Sequence, residues 1–271
     1  MTVHFENAPL VELIAELRWQ PTGGRSFVAA GMDAPLGFSM VDGLRLEDFY
    51  LRFAAEMFGM GYQQSERLAP AGFALDPSRA AIRFRKQDGS DLFQIGPGVF
   101  TANAVPPYTS WNEFSPTVKR GVEALLKARS DEDKASPFTL SLIRYIDAFG
   151  GALLAGRSHH DFMREVLGFD VSLPPAVAGW LDSEPKLVAN AAYTGVLRDN
   201  RQFSLTVGDG SNRDQECVVL DLTLTSHGPI DPSVDGIMDA FAKSRDVAHD
   251  IFVKLTTKIS SVMKPVERSS K

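Results

Sequence analysis

The chain has 271 residues, 44% of them hydrophobic and 23% charged, with 28 Lys and Arg against 34 Asp and Glu and one cysteine. This composition excludes a disordered or fibrous chain. The formal net charge of −6 leaves no electrostatic footprint for wrapping nucleic acid. Cys217 alone excludes an intrachain disulfide framework and a cysteine-based structural zinc site.

Leu10 to Trp19 opens the ordered pattern. Val11, Leu13, Ala15, Leu17 and Trp19 alternate with Glu12, Ile14, Glu16 and Arg18, the period of two of a half-buried strand. Gln20 to Gly43 is rich in glycine and proline without periodicity, and reads as a mobile segment or a lid. Glu47 to Gly59 is predicted helical, since Leu46, Phe49, Phe53 and Met57 recur at three and four. Strands follow at Ala80–Arg85, Leu92–Ile95 and Val99–Asn103, with Asp88-Gly89 as a hairpin turn. Arg83 and Arg85 face away from Ile82 and Phe84, where Glu12 and Glu16 are their expected partners. Ser110 is the expected N-cap of a helix bearing Trp111, Phe114, Val118, Val122 and Leu125, and Glu113 completes a capping box. Phe138 to Phe149 is a long strand.

Gly150-Gly151 is the expected boundary between an N-terminal lobe, residues 1–150, and a C-terminal lobe, residues 151–271. The second lobe reads as a short helix over His159–Leu167, then strands near Leu187–Leu197, Phe203–Val207 and Cys217–Thr225. Turns are expected at Arg198–Gln202 and Asp209–Gln215. Asp231 as N-cap and Pro232 as first helical residue introduce a helix whose apolar stripe runs from Val234 to Val262. Roughly 30 residues at 1.5 Å each would span about 45 Å, enough to pack across both lobes or against a second subunit. Lys264 to Lys271 reads as a frayed tail. The fold class is α+β: two lobes of mainly antiparallel sheet with helices on one face and a long C-terminal helix.

Chemistry-bearing motifs are sparse. The chain has no phosphate-binding Gly-x-x-x-x-Gly-Lys-Ser/Thr loop, no His-Glu-x-x-His and no Gly-x-Ser-x-Gly elbow. Asp209 to Glu216 imitates a calcium loop, but Arg213 stands where an oxygen ligand belongs. His159-His160-Asp161 is the densest cluster of catalytic residue types. Adjacent helical residues point about 100° apart, so the two imidazoles do not share a metal, and Ser158 makes the run a helix entry. Cys217 opens an apolar strand and reads as a core residue. Arg144 shares its parity with Phe138, Leu140, Leu142 and Ile146, so its guanidinium needs a carboxylate partner or else binds an anion. Arg144, Tyr145 and His160 are therefore the candidate ligand-binding residues, with no catalytic residue, metal or cofactor expected.

Three blocks resemble a sporadically distributed family of uncharacterised bacterial proteins. They are Phe5-Glu6-Asn7-Ala8-Pro9-Leu10-Val11-Glu12 and on to Trp19, then Leu92 to Asn103 followed by Pro107 to Phe114, and the strand Leu142-Ile143-Arg144-Tyr145-Ile146-Asp147. The third is similar to a family Leu-Arg-Tyr-Ile-Asn strand, and Asp147 puts a charge where Asn is usual. The resemblance implies an α+β protein of a bacterium or phage and, from its patchy distribution, an accessory role in defence or toxin–antitoxin systems.

The functional expectation is a non-enzymatic binding or assembly protein with a protein partner or a second copy of itself. The alternative is a sensor or enzyme for an anionic ligand held in an inter-lobe cleft. Nucleic acid is disfavoured unless Arg83, Arg85, Lys86, Lys119 and Arg120 form one patch. With no stretch near the roughly 18 apolar residues of a membrane span and no secretory signal at Met1–Glu6, a cytoplasmic location is expected.

Overall fold

The computed structural model describes residues 4–20, 40–68, 78–106, 110–134, 136–181 and 188–266. In chain order these form β1 (His4–Phe5), β2 (Leu10–Arg18), α1 (Met40–Gly59), β3 (Gln64–Arg67), β4 (Ile82–Arg85), β5 (Asp91–Ile95) and β6 (Val99–Ala104). Next come α2 (Trp111–Ala128), α3 (Asp131–Lys134), β7 (Phe138–Phe149), α4 (His159–Asp161), α5 (Pro175–Ala178), β8 (Asn190–Val196), β9 (Gln202–Asn212) and β10 (Gln215–Ile230). The chain closes with α6 (Val234–Leu255), α7 (Ser260–Met263) and β11 (Pro265–Val266). The fold is α+β. One nine-stranded sheet has the order β3-β4-β5-β6-β2-β7-β10-β9-β8, and β1 pairs with β11 in a separate two-stranded sheet. No described helix is long and apolar enough to cross a membrane.

Contacts divide the chain into two compact units. One contains Ile14–Ile143 and Thr225–Lys243; the other contains the residues up to Leu13, Arg144–Leu224 and those from Ser244 on. The sequence draws a single boundary at Gly150, whereas these units interleave along the chain. The division falls inside the long strands β7 and β10, where a reading based on glycines and loops places no boundary.

In the first unit, β4, β5 and β6 form an antiparallel meander with Phe84 opposite Phe93 and Phe93 opposite Ala102. Those residues share the face that packs under α1 and α2. Phe53 of α1 stacks edge-on against Phe84 at 5.6 Å and Phe100 at 6.1 Å, and all three rings are buried. α2 approaches closely enough that a Cβ on Gly121 would lie 2.2 Å from Phe93 Cε1. Glycine at this position sets the spacing between helix and sheet. On the opposite face Arg83 reaches Glu66 at 3.2 Å, Gln94 donates to Thr101, and Thr101 donates to Asn103. Arg83 thus takes its partner from the neighbouring strand β3, and Arg18 pairs with Glu16. The expected pairing of Arg83 with Glu12 or Glu16 is replaced by these shorter-range contacts. Ser110 caps α2 as expected, its side chain accepting from the Glu113 amide at 3.4 Å. Ser110→Ala should cost about 1 kcal/mol of stability in urea unfolding, and an unchanged midpoint would remove the cap from the account.

Arg129, at the end of α2, is 1% exposed. Its Nη2 donates to the Ser136 carbonyl at 3.0 Å, and its guanidinium lies over the rings of Phe138 at 4.6 Å and Trp19 at 5.9 Å. Burial pushes its pKa down, and Asp133 partly offsets this.

In the second unit the core is Phe149, Phe162, Met163, Val166, Leu167, Phe169, Val218, Leu220, Ile259 and Met263, with Phe5 of β1 packed among them. The predicted helix at His159 begins on its Ser158 cap but runs through a π-helical turn at Phe162–Val166, which aims Phe162, Met163 and Val166 inward. β9 and β10 extend further toward each other than expected. Asp209 to Asn212 are strand, and the turn shrinks to Arg213 and Asp214, both at positive φ (49° and 64°). Such a two-residue turn normally declares itself through glycine or asparagine, and neither is present.

The last helix is shorter than its stripe suggests. α6 has 22 residues, about 33 Å. It stops where Thr256 and Thr257 turn their hydroxyls back onto the Phe252 and Val253 carbonyls, at 2.8 and 2.9 Å. Its N-cap is also displaced: Ser233 accepts from the Gly236 amide at 3.1 Å, two residues after the expected Asp231. Beyond α7, Pro265 and Val266 pair with Phe5 and His4, so the start of the expected tail is a strand. Of the expected 20–43 loop, residues 21–39 lie outside the described residues, and Met40 onward already belongs to α1.

Candidate functional site

The three candidate ligand residues fall into separate environments. β7 turns Ile143, Asp147 and Phe149 to the buried face and leaves Leu142, Arg144 and Ile146 half-buried on the other. Arg144 grips Asp221 of β10 in a bidentate pair, Nε lying 2.9 and 3.1 Å from the two carboxylate oxygens. Its side chain keeps 41% exposure, so the pair is worth about 1 kcal/mol or less. Tyr145, one residue on, faces the opposite way and meets Arg245 of α6, whose charge offsets part of the rise that burial imposes on the phenol. His160 lies at the α4 entry and donates from Nε2 to the Val171 carbonyl at 2.8 Å. Adjacent strand residues point to opposite faces, so Arg144 and Tyr145 do not converge on one ligand.

The neighbouring histidine is engaged as well. His159 donates from Nδ1 to Asp209, whose other oxygen accepts the Ala189 amide at 3.0 Å. Asp209 and burial together push the Cys217 thiol up, away from the reactive thiolate, with burial the larger cause. Ser158 accepts from the Asp161 amide at 3.1 Å, as a helix entry requires. Among the described residues, no group of His, Cys, Asp and Glu is arranged to hold a metal ion.

The ionisable group that β7 buries is not Arg144 but Asp147, further along the strand and on its opposite face. Asp147 is 3% exposed. Burial, and then the negative charge of Asp221, lift its carboxyl to about 8, so it carries a proton at neutral pH. The sequence assigns the buried-ion problem to Arg144, because an unbroken apolar run surrounds it. In the fold that run lies on the half-open face, and the carboxyl is the group taken out of water.

Of the basic residues singled out in the sequence, Arg83 pairs with Glu66, Lys86 pairs with Asp91 at 2.9 Å, and Arg120 donates to Thr117.

Exposed apolar residues present a different kind of site. Among the described residues, the large exposed hydrophobics fall in two stretches. Leu44, Leu51 and Phe58 lie seven apart on the outer face of α1, with Leu68 just beyond β3. Val177, Trp180, Val188, Tyr193 and Val196 form the second, and Trp180 is 90% exposed. Three of the latter lie on or beside β8, which ends the nine-stranded sheet. The sheet's two edges differ. β3, Gln64-Ser65-Glu66-Arg67, carries a carboxylate and a guanidinium that pair with Arg83 and Glu47. β8, Asn190-Ala191-Ala192-Tyr193-Thr194-Gly195-Val196, has neither a charge nor a proline, and five of its seven residues are exposed. Natural sheets protect their edges with lysine, proline, bulges or a covering segment. Among the described residues, β8 shows none of these.

This chain matches no known protein family, no curated protein and no solved structure. The site has to be argued from its own geometry. The strand itself was legible in the sequence; its place at the end of the sheet was not, because strand order is set by long-range pairing. The available signal was the neutral run Asn190–Val196 in a chain that is otherwise 23% charged.

Proposed function

We propose that this chain is a non-enzymatic binding and assembly protein that engages its partner by strand addition at β8. The observation that carries this reading is the unprotected edge: an exposed, uncharged strand offers a row of backbone donors and acceptors for another strand. Exposed Tyr193 and Val196, and Val188 just before them, supply apolar area beside that row. The resemblance of the three sequence blocks supports a setting in a bacterium or phage, with the chain as an accessory component of a defence or toxin–antitoxin system.

Thr194→Lys tests the reading, since a charge placed on the edge repels strand addition and leaves the β9 ladder intact. In extract of the native host, the tagged wild-type chain should run as an assembly larger than its own 29.6 kDa, and Thr194→Lys should reduce that mass. An assembly unaffected by the substitution, or a single-copy mass for both proteins, would overturn it.

A further inference from the structure

The β8–β9 register decides which backbone groups face outward. Asn190 pairs with Gly208 and Val196 with Gln202. The Leu197 amide donates to the Arg201 carbonyl at 2.7 Å, and the Ala189 carbonyl accepts from the Asp209 amide. Odd-numbered residues therefore exchange hydrogen bonds with β9. Asn190, Ala192, Thr194 and Val196 direct their N–H and C=O groups outward, since the two classes alternate along an antiparallel pair. The side chains of these same residues are exposed.

We propose that the occupant of this edge is the β8 of a second copy, paired antiparallel about a two-fold axis at Ala192 so that the sheet continues from one copy into the next. This rests on the reading of β8 as the working edge. Two features favour a second copy over an unrelated strand. First, β8 is neutral, so two chains that each carry a charge of −6 meet where neither presents a charge. Second, the axis at Ala192 matches like with like: Val188 faces the partner's Val196, Asn190 faces the partner's Thr194, and Ala192 faces its own symmetry mate. Val188 and Val196 are 64% and 65% exposed, and each covers the other. The next two-fold register, centred on Tyr193, would set Val196 against Asn190 and Ala192 against Thr194, apolar against polar in both pairs. An isologous contact of this kind closes as a dimer and leaves no propagating edge at the junction.

The test uses the purified full chain. Light scattering should give twice the 29.6 kDa chain mass. Ala192→Cys should crosslink into a covalent dimer on oxidation and Tyr193→Cys should not; the native Cys217 is buried and does not compete. Thr194→Pro removes one outward N–H without touching the β9 ladder, so it should give a monomer with unchanged circular dichroism. A folded single-copy wild type, a crosslink at position 193 in place of 192, or a dimer that persists in Thr194→Pro would each overturn self-pairing. The host-extract measurement separates this failure from that of the broader reading. A monomeric purified chain whose host assembly is still lost in Thr194→Lys overturns self-pairing alone; a host assembly indifferent to Thr194→Lys overturns both.

Discussion

Replacing Asp147 by asparagine stabilises the protein at pH 8 and leaves it nearly unchanged near pH 4. Burial and the Asp221 charge raise the Asp147 carboxyl to about 8 in the native state, against an ordinary aspartate value near 4 in the unfolded chain. Below both values the group is protonated in either state and costs nothing. Between them the unfolded chain has released its proton and the native protein holds it, so folding takes up a proton and stability falls as pH rises. The slope is about 1.4 kcal/mol per pH unit, and the loss accumulates to the order of 5 kcal/mol by pH 8. Above pH 8 the native group ionises too and the curve flattens. Asparagine has the shape of the protonated acid and no charge to desolvate. Urea unfolding of the wild type and Asp147→Asn at pH 5, 6, 7 and 8 should therefore show a gap that widens with each step. A constant gap would mean that Asp147 is ionised and solvated in the native protein.

Phe93→Ala should cost roughly 3–5 kcal/mol, the range for truncating a fully buried phenylalanine. Its ring is 1% exposed, lies 4.9 Å from the Tyr62 ring and 5.8 Å from Phe100, and sits beneath Gly121. Gly121→Ala alone should cost about 1–3 kcal/mol by overpacking, because its methyl would collide with Phe93 and, at 2.9 Å, with Phe100. With Phe93 already truncated, the closest of these collisions is gone and only the one with Phe100 remains, so the same substitution should cost less than it does in the wild type. A double-mutant cycle in urea reads this directly. Additivity within about 0.5 kcal/mol would mean that helix and ring are not in contact.

How much of this was legible in the sequence depended on the range of the forces involved. β2, β7 and the meander β4–β6 were readable because alternation is a local pattern, and the Ser110 cap because its partner is three residues away. The opening of α1 was missed because Gly43 breaks the pattern. The two-residue turn at Arg213-Asp214 was missed because nothing in it announces positive φ. α6 was overextended because an apolar stripe does not register two threonines whose hydroxyls end a helix. β1, β3 and β11 were invisible: the first and last have two residues each, and Gln64–Arg67 has no apolar residue to alternate. The same distinction governs the candidate site. The sequence could flag an ion on β7, but strand order decides which face of β7 is dry, and hence that Asp147 and not Arg144 is the strained group. The edge character of β8 has the same origin.

The pairing of β1 with β11 also constrains how the protein is made. Phe5 is a core residue, yet the strand that holds it, Pro265–Val266, is synthesised long after it, at the far end of the sequence separation between the two. At roughly 5–20 residues per second, about 15–50 s of elongation separate Phe5 from its partner. Over that interval an apolar residue that ends up buried lacks the strand that holds it. Completion of this unit is therefore timed by the length of chain that separates Phe5 from Pro265.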